Sequence, residues 1–361
     1  MFDALVIGAG QAGLAASYFL QRAGVPFTVL EASHAPTGSW PQYYDSLQLF
    51  SPARYSSLPG FPFSGDPDRY PLRDEVSAYL QSYAQHFQFP IRFNQEVSRV
   101  EQGEVGFQVT TAMGEQYQAR AIIAATGLFH QPALPQFPGQ EQFRGQILHS
   151  ADYRRPDPFV GQRVLVVGAG NSAVQIAVEL AQVAQVTLTS RTPVRFLPQR
   201  PLGRDVHFWF RLLGVDRLVA PSLWQRMKSN PVLDAGRYQA AIASGHPDWQ
   251  PLFERLTPEG VVWRDGREEP IERLILATGY RFQPDYLTGL GAWDGSGQVS
   301  QQLGRSLTVP GLFYVGLSFQ RTFASATLRG VGEDSALVVR QITQLLQETA
   351  NPSVTRHLQP R

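Results

Sequence analysis

Two glycine-rich segments of the chain have the residue spacing that binds dinucleotides. The first is Gly8-Ala9-Gly10-Gln11-Ala12-Gly13, between a short apolar run and a stretch with helical periodicity. In such a turn the first glycine allows the sharp bend, the second lets the backbone approach a pyrophosphate, and the third lets the helix pack closely on the strand. Glu31 ends the next apolar run, where its carboxylate can accept hydrogen bonds from a ribose diol.

The second segment, Gly168-Ala169-Gly170-Asn171-Ser172-Ala173, has alanine at the permitted third position. The strand after it ends on Arg191-Thr192 instead of an acid. A guanidinium cannot accept hydrogen bonds from a ribose diol, but it can clamp a 2′-phosphate bidentately. The alternative is an exposed arginine in a turn with no ligand. Since FAD carries no 2′-phosphate, we predict FAD at the first segment and NADPH at the second, with NADH left open as another donor.

The same strand–turn–helix–strand unit positions both segments, over 3–31 and again over 163–191. Each unit is followed later in the chain by a strand ending in Ala-Thr-Gly, within 121–127 and 273–280. This organisation predicts an α/β fold with two doubly wound, Rossmann-like dinucleotide-binding domains, the NADPH domain being inserted into the FAD domain. The predicted bounds are 1–155 and 275–361 for the two parts of the FAD domain and 156–274 for the NADPH domain.

Three other segments carry structural signals. The pattern over 74–87 predicts a helix, the proline-rich stretch 131–140 predicts a crossing between the domains, and the aromatic segment 204–228 predicts helical structure. The aromatic segment also contains arginines, so it is either a helix packed on the NADPH domain or an amphipathic contact with a membrane surface. The net charge of +1 favours the packed helix.

The composition indicates a globular chain of about two domains, with 361 residues, 43% hydrophobic and 17% charged. It contains no block of basic residues, so nucleic acid is not an expected partner. Asp3 and the glycines of the first turn argue against an N-terminal signal peptide. No apolar run reaches the ~18 residues that a membrane helix needs. We therefore expect a cytoplasmic protein without an integral membrane segment, and we leave a homodimer open.

The chain contains no cysteine. Two nucleotide sites imply hydride transfer from nicotinamide to flavin, and the acceptor of the electrons then defines the function. Disulfide reductases of this architecture need a cysteine pair beside the flavin, so electron transfer from the flavin to a disulfide is excluded. None of the seven histidines lies in a His-Glu-x-x-His pattern, so no metal site is predicted.

Three ordered motifs resemble those of the flavin-containing monooxygenases. They are Phe143-x-Gly145-x-x-x-His149-x-x-x-Tyr153, Thr37-Gly38-Ser39-Trp40 and Ala277-Thr278-Gly279-Tyr280. The C-terminal segment 319–330 is similar to compact bacterial members, and Tyr70-Pro71-Leu72 to plant auxin-forming members. Baeyer–Villiger monooxygenases end the linker motif in Trp-Pro, whereas this chain has Tyr153-Arg154, which favours the branch that oxidises heteroatoms.

The resemblance implies an FAD-dependent, NADPH-using monooxygenase. In that family a C4a-hydroperoxyflavin, formed with O2, passes one oxygen atom to a small-molecule substrate. The substrate would be a soft nucleophile (a sulfide or an amine) or a small carbonyl compound. Two alternatives stay open: a non-oxygenating NAD(P)H oxidase or reductase, and a nucleotide-sensing regulatory flavoprotein.

One departure from the family concerns the residue beside the flavin. Members that oxidise nitrogen or sulfur often have an asparagine there, but residues 41–60 contain none, and Phe50 is the predicted occupant and the catalytic candidate. Since phenylalanine offers no hydrogen bond, leakage to hydrogen peroxide is expected. His149 is predicted to be structural, because no second group in the sequence would orient it as a base.

The predicted cofactor-binding residues are Gly8, Gly10, Gln11, Ala12, Gly13, Glu31, Gly38, Ser39, Trp40, Val97, Thr126, Gly127, Gly168, Gly170, Asn171, Ser172, Ala173, Arg191, Thr192, Thr278, Gly279, Tyr280, Thr327 and Leu328.

Overall fold

The structure is a computed structural model that describes residues 1–219, 231–293 and 299–350. The α-helices in this part of the chain are α1 (Gln11–Arg22), α2 (Arg73–Phe87), α3 (Asn171–Leu180), α4 (Val206–Leu212), α5 (Arg237–Ala243) and α6 (Leu328–Ala350). The strands are β1 (Phe2–Ile7), β2 (Phe27–Leu30), β3 (Ile91–Arg92), β4 (Val97–Gln102), β5 (Phe107–Thr111), β6 (Gln116–Ala124), β7 (Gln131–Pro132), β8 (Gln146–His149), β9 (Arg163–Val167), β10 (Gln185–Ser190), β11 (Phe196–Pro198), β12 (Val232–Asp234), β13 (Asp248–Pro251), β14 (Arg255–Thr257), β15 (Gly260–Val262), β16 (Glu268–Pro270), β17 (Arg273–Leu276), β18 (Tyr280–Arg281), β19 (Gln301–Gln302), β20 (Arg305–Ser306) and β21 (Leu312–Tyr314). None of the described helices is long and apolar enough to cross a membrane.

The first sheet is built around β1, whose last four residues are buried. Its order is β19-β20-β21-β6-β1-β2-β3, and β5 and β4 extend it from β6. The strands from β21 to β3 run parallel, and Ile7 pairs with both Leu30 and Ala124. Because the carboxyl ends of β1, β2 and β6 therefore meet at one edge, Gly8 and Glu31 lie side by side there.

The second sheet is parallel throughout, in the order β13-β10-β9-β17-β8. Its central strand β9 is buried from Val164 to Val167, and Val167 pairs with Thr189 and Leu276. The ends of β10 and β17 therefore lie beside Gly168. All strands of this sheet fall in the chain between β6 and β19, which confirms the predicted insertion of one dinucleotide domain into the other.

Both sheets are covered on two faces by separate apolar cores. On one face of the first sheet, α1, α2 and α6 pack on β1, and the other face packs against β4 and β5. On the second sheet, α3 and α5 cover one face, and the antiparallel strands β14 to β16 cover the other. The predicted α/β class is thus confirmed, with antiparallel strands in place of helices on one face of each sheet.

Two observations bear on the sequence predictions. Within the described residues of 204–228, the only α-helix is α4; Gly214 follows it with a φ of 70°, a left-handed residue that ends the helix. Residues 220–228 lie outside the described residues. Strand β8 belongs to the second sheet although it precedes the predicted boundary at 155, because it pairs with β17. The domain bounds therefore stay a prediction.

Candidate functional site

Glycines shape the first turn at the end of β1. Gly8 has a φ of 100°, a conformation that glycine adopts without strain. A Cβ on Gly13 would collide with the carbonyl oxygen of Gly8, so α1 can approach β1 this closely only with glycine there. Gly10 faces Gly38, and a Cβ on Gly10 would lie 3.3 Å from the Gly38 Cα. The result is a narrow backbone cradle that leads directly into the N-terminus of α1.

The Glu31 carboxylate is 7% exposed and lies beside this turn. Its Oε2 accepts a hydrogen bond from the Ala9 N–H at 2.6 Å. Its Oε1 accepts from the Ser33 N–H at 2.9 Å and from the Ser33 hydroxyl at 2.7 Å. Since a carboxylate offers about four lone-pair sites, Glu31 keeps an acceptor position for a ligand hydroxyl. The carboxylate is therefore held in place and still able to bind a ribose.

Two predicted residues, Thr126 and Gly127, follow β6 directly beside the first turn. A Cβ on Gly8 would lie 2.8 Å from the carbonyl oxygen that precedes Thr126, so the two segments touch. Val97 begins β4 at the Glu31 side of the cradle, since an N–H two residues before it donates to the Glu31 carbonyl oxygen at 2.8 Å. These three residues therefore lie at the same edge of the first sheet.

One side chain ties the C-terminal segment to the first turn. The Gln11 Nε2 donates to the Ala326 carbonyl oxygen at 2.7 Å, and the Gln11 Oε1 accepts from the Trp40 indole at 3.3 Å. The first of these bonds joins positions 315 apart in the sequence. It sets Thr327 and Leu328, at the start of α6, against the cradle. Because such hydrogen bonds join distant parts of the chain, the residues predicted at the first dinucleotide site come from widely separated positions.

The second turn repeats this geometry at the end of β9. Gly168 lies against the Ala277 carbonyl oxygen, so Thr278 follows beside the turn. A Cβ on Gly170 would meet nothing within 4 Å. Asn171, the first residue of α3, has a buried Oδ1 without a hydrogen-bond partner among the described residues. An unpaired acceptor beside open space at a helix N-terminus fits a bound nucleotide, whose hydroxyl groups can donate to it.

Arg191 and Thr192 follow β10, and both are exposed. The Ser190 hydroxyl holds this turn, because it donates to the Thr192 carbonyl oxygen at 2.7 Å and accepts from the Trp249 indole at 3.0 Å. The Arg191 guanidinium makes no hydrogen bond or ion pair with any residue that the structure describes. A cation at this strand end is therefore available to an anionic ligand.

His149 locks the Ala-Thr-Gly-Tyr segment in place and is 3% exposed. Its Nδ1 accepts from the Ala151 N–H at 3.1 Å, so the proton lies on Nε2, which donates to the Gly279 carbonyl oxygen at 3.0 Å. Burial lowers the pKa of this imidazole. Its ring packs edge-on against Tyr280, with centroids 5.0 Å apart. Because both nitrogens are used by the main chain, the geometry fits a structural role.

Two tyrosines join α3 to the segments that precede the second turn. The Tyr44 hydroxyl donates to the Gln175 Oε1 at 2.5 Å, and the Tyr153 hydroxyl donates to the Glu179 Oε2 at 2.7 Å. Burial raises the pKa of both hydroxyls, so both remain donors at ordinary pH. Tyr153 is the last residue of the linker motif, which thus holds the helix that follows the second turn.

The structure also contains a buried polar cluster that sequence reasoning missed. The Asp205 Oδ1 accepts from the N–H of His207 at 2.9 Å and from its Nδ1 at 2.7 Å. The Asp205 Oδ2 accepts from the Tyr70 hydroxyl at 2.5 Å and from the Gln199 amide at 2.8 Å. Burial acts to raise the pKa of Asp205, but the hydrogen bonds from His207 and Tyr70 outweigh it and hold the pKa at about 2.

Phe50 lies at the edge of this cluster. Its carbonyl oxygen accepts from the Gln199 amide at 3.0 Å, and its ring is stacked on His207 with centroids 6.4 Å apart. The Phe50 side chain is 37% exposed. The one signal in the sequence is the Asp-x-His spacing at 205–207, which is too short to distinguish from chance.

Comparison with known proteins identifies the family. A model of the family described as pyridine nucleotide-disulphide oxidoreductase matches residues 5–204. A flavin-containing monooxygenase from Stenotrophomonas maltophilia is similar over almost its whole length, with 35% identity, a TM-score of 0.85 and coverage of 96% of this chain and 99% of that one. This chain belongs to the flavin-containing monooxygenases.

Other relatives of this flavin-containing monooxygenase are bacterial and plant proteins. It is 34% identical to an uncharacterized CzcO-like oxidoreductase of Geobacillus kaustophilus (strain HTA426), over 94% of this chain and 98% of the relative. It is 33% identical to an indole-3-pyruvate monooxygenase of Oryza sativa subsp. japonica, over 80% of this chain and 79% of the relative. The predicted oxidoreductase activity and the predicted cofactors, FAD and NADPH, are confirmed by this family membership.

The family model is named for disulphide chemistry, but this flavin-containing monooxygenase has no cysteine. A chain without thiols cannot form the redox pair that such chemistry needs. The sites described above fit the two cofactors instead. The glycine cradle and the partly satisfied Glu31 carboxylate fit one dinucleotide, and the unpaired Asn171 Oδ1 with the exposed Arg191 fits the other.

Proposed function

We propose that this flavin-containing monooxygenase uses NADPH and O2 to transfer one oxygen atom to a small sulfide or amine. One observation carries the proposal: the two dinucleotide turns have unlike strand ends, Glu31 beside one and Arg191 beside the other, in a chain without cysteine. The acid suits a nucleotide with a free ribose diol, and the arginine suits one with a 2′-phosphate.

The residues of the first turn and its neighbours hold FAD in this proposal. The N-terminus of α1 faces the pyrophosphate, and Glu31 accepts from the ribose. The proposed FAD-binding residues are Gly8, Gly10, Gln11, Ala12, Gly13, Glu31, Gly38, Ser39, Trp40, Val97, Thr126, Gly127, Thr327 and Leu328.

The second turn holds NADPH in the same way. The N-terminus of α3 faces the pyrophosphate, and Arg191 clamps the 2′-phosphate. NADH, which lacks that phosphate, is the weaker donor. The proposed NADPH-binding residues are Gly168, Gly170, Asn171, Ser172, Ala173, Arg191, Thr192, Thr278, Gly279 and Tyr280.

The protein itself orients the cofactors and excludes water from the reacting centre. When bound, NADPH supplies hydride and FAD activates dioxygen. Phe50 presents an apolar ring and no side-chain donor, so it shields this region from water without forming a hydrogen bond. We therefore expect part of the oxygen to leave as hydrogen peroxide.

A small carbonyl compound is the second candidate substrate. The observation that favours it is the similarity to a plant relative that is named as an indole-3-pyruvate monooxygenase. The linker motif ends in Tyr153-Arg154, unlike that of the Baeyer–Villiger enzymes, and this keeps a sulfide or an amine as the first candidate.

The proposal is tested by following NADPH consumption, oxygenated product and peroxide with methyl phenyl sulfide, a tertiary amine, cyclohexanone and indole-3-pyruvate. We expect the sulfide or the amine to give the highest ratio of product to NADPH. Peroxide equal to NADPH with every compound would identify an oxidase. A flavin that NADPH does not reduce would identify a regulatory protein.

A further inference from the structure

We propose that the Nε2 of His207 binds an O–H or N–H group of the substrate, and that Asp205 holds the imidazole in the required tautomer. The inference rests on the proposed function for the place of the substrate, and it assigns a recognition residue that no motif of the family identifies. It also names a ligand class: small compounds with an apolar ring and one hydrogen-bond donor.

The tautomer follows from the hydrogen bonds of Asp205. An ionised carboxylate only accepts, so the His207 Nδ1, 2.7 Å from the Asp205 Oδ1, must carry a proton. In the neutral imidazole the lone pair therefore lies on Nε2. The hydroxyl of Tyr70 and the amide of Gln199 fix the carboxylate from its other oxygen. The ring cannot turn over without breaking this network.

The Nε2 acceptor is buried, and it has no hydrogen-bond partner among the described residues. His207 as a whole is 1% exposed. An unsatisfied buried acceptor is costly, and proteins retain such groups mainly where a ligand or function uses them. Because bulk water does not reach this atom, a ligand donor that does so meets little competition, and the hydrogen bond is stronger than in water.

His207 lies beside Phe50, the residue predicted to be next to the flavin. Its ring stacks with those of Phe50 and Tyr55, with ring centroids 6.4 Å and 6.1 Å away. Phe210 packs edge-on against it at 5.8 Å. These rings come from the Phe50 loop of the first domain and from α4 of the inserted segment. Such walls suit an apolar or aromatic substrate.

The neighbouring charges favour a neutral ligand. The Arg329 guanidinium lies over the Phe210 ring at 5.6 Å and is paired with Asp216 at 3.0 Å. Arg329 directly follows Leu328, one of the proposed FAD-binding residues. The Arg329 Nη2 faces the Asp216 carboxylate and His207 has Asp205, so the cluster holds no surplus positive charge for an anion, although the buried Arg329 Nε has no hydrogen-bond partner among the described residues. The His207 Nε2 can accept a hydrogen bond from a hydroxyl or an N–H group of a neutral ligand.

The test compares two sulfides in the oxidised holoenzyme. 4-(Methylthio)phenol has a donor, and 4-methoxythioanisole is the same ring without one. Dissociation constants are measured from the change in flavin fluorescence, which needs no turnover and so separates this proposal from the proposed function. We expect the phenol to bind about tenfold more tightly than the ether.

Variants of His207 then isolate the acceptor. His207→Asn keeps an N–H for Asp205 but has no group at the Nε2 position, so the preference for the phenol over the ether should vanish. His207→Gln places an amide oxygen near that position and should restore part of the preference. Equal binding of the two probes by the wild-type enzyme, or a preference that persists in His207→Asn, would overturn the proposal. An equal loss of affinity for both probes in His207→Asn would show that His207 has a structural role instead.

Discussion

At the scale of single residues, we propose that the coenzyme is selected by the side chain that directly follows β10. Arg191 is exposed and unpaired among the described residues, whereas Glu31 at the equivalent position of the first unit is buried and bonded to the main chain. The two positions are equivalent in topology and opposite in charge. That contrast was readable from the sequence, because the strand end lies at a fixed distance from each glycine turn.

Arg191→Ala should raise KM for NADPH far more than KM for NADH. A bidentate, charge-assisted clamp is worth roughly 1.5–3 kcal/mol, or about one to two decades in KM. Steady-state kinetics with both coenzymes measures the ratio. Arg195→Ala, another exposed arginine four positions later, is the matched control and should leave the ratio near that of the wild type. Equal losses with both coenzymes would show that Arg191 does not contact the phosphate.

Asp205 and His207 mark the limit of sequence reasoning at this scale. Their partners include Tyr70, which is 135 positions away from Asp205 in the chain. No local periodicity connects residues so far apart, and neither Asp205 nor His207 belongs to one of the family motifs. Only the folded chain, which brings the Phe50 loop against the inserted segment, shows that a histidine here has a carboxylate to orient it.

At the scale of elements, the strand–turn–helix units were predictable because their signals are local. The glycine spacing, the buried strand and the helix all lie within about thirty residues. The strand and turn within 261–270 were also predictable, but the packing of the antiparallel strands β14 to β16 on the second sheet was not, because that contact is not local. The helix α4 ends at Leu212 because Gly214, two residues later, is left-handed, and the aromatic pattern does not mark that end.

The two turns predict different outcomes for one kind of substitution. Gly13→Ala places a Cβ against the Gly8 carbonyl oxygen, so we expect the variant to lose FAD and to melt at a much lower temperature. Gly170→Ala meets open space, so it should melt within about 2 °C of the wild type. It should nevertheless raise KM for NADPH and NADH alike, on the order of tenfold, because the methyl group points where the pyrophosphate is proposed to lie.

FAD content after desalting, thermal melting and coenzyme kinetics distinguish the two variants. A Gly170→Ala protein that melts as low as Gly13→Ala would show that the second turn is structural and not a binding surface. Unchanged KM values in Gly170→Ala would contradict the proposed position of the coenzyme.

At the scale of the whole molecule, two buried histidines make stability depend on pH. His149 and His207 are 3% and 1% exposed, and burial lowers the pKa of both. An unfolded histidine titrates near 6.5. Below that pH the unfolded chain binds more protons than the folded one, so the free energy of unfolding should fall as the pH drops from about 7 to 5. The folded-state pKa of Asp205 is about 2, below that of an unfolded aspartate, so the free energy of unfolding should fall further as the pH drops from about 4 to 2.

Urea unfolding at pH 7.5, 6.5 and 5.5, followed by circular dichroism, measures how the free energy of unfolding changes with pH. His149→Gln should weaken this pH dependence, because the titrating ring is gone. His34→Asn, which removes an exposed histidine, should leave the slope unchanged. Stability that rises on acidification would contradict the assignment of neutral, buried imidazoles.

The fold and the cofactors of the molecule were thus accessible from its sequence, and its substrate was not. The proposed substrate contacts come from two segments far apart in the chain, the Phe50 loop and the segment around His207, and no local sequence pattern predicts that these segments meet. The absence of cysteine excluded a disulfide of the chain as the acceptor of the electrons, and the motifs favoured O2 as the acceptor.

The central claim is that an oxygen atom from O2 reaches the substrate. The direct measurement is turnover of methyl phenyl sulfide with NADPH under ¹⁸O₂ in ordinary water, with mass spectrometry of the product and a parallel peroxide assay. The account predicts a sulfoxide that carries one ¹⁸O atom. Unlabelled or absent sulfoxide, with all NADPH electrons recovered as hydrogen peroxide, would contradict it.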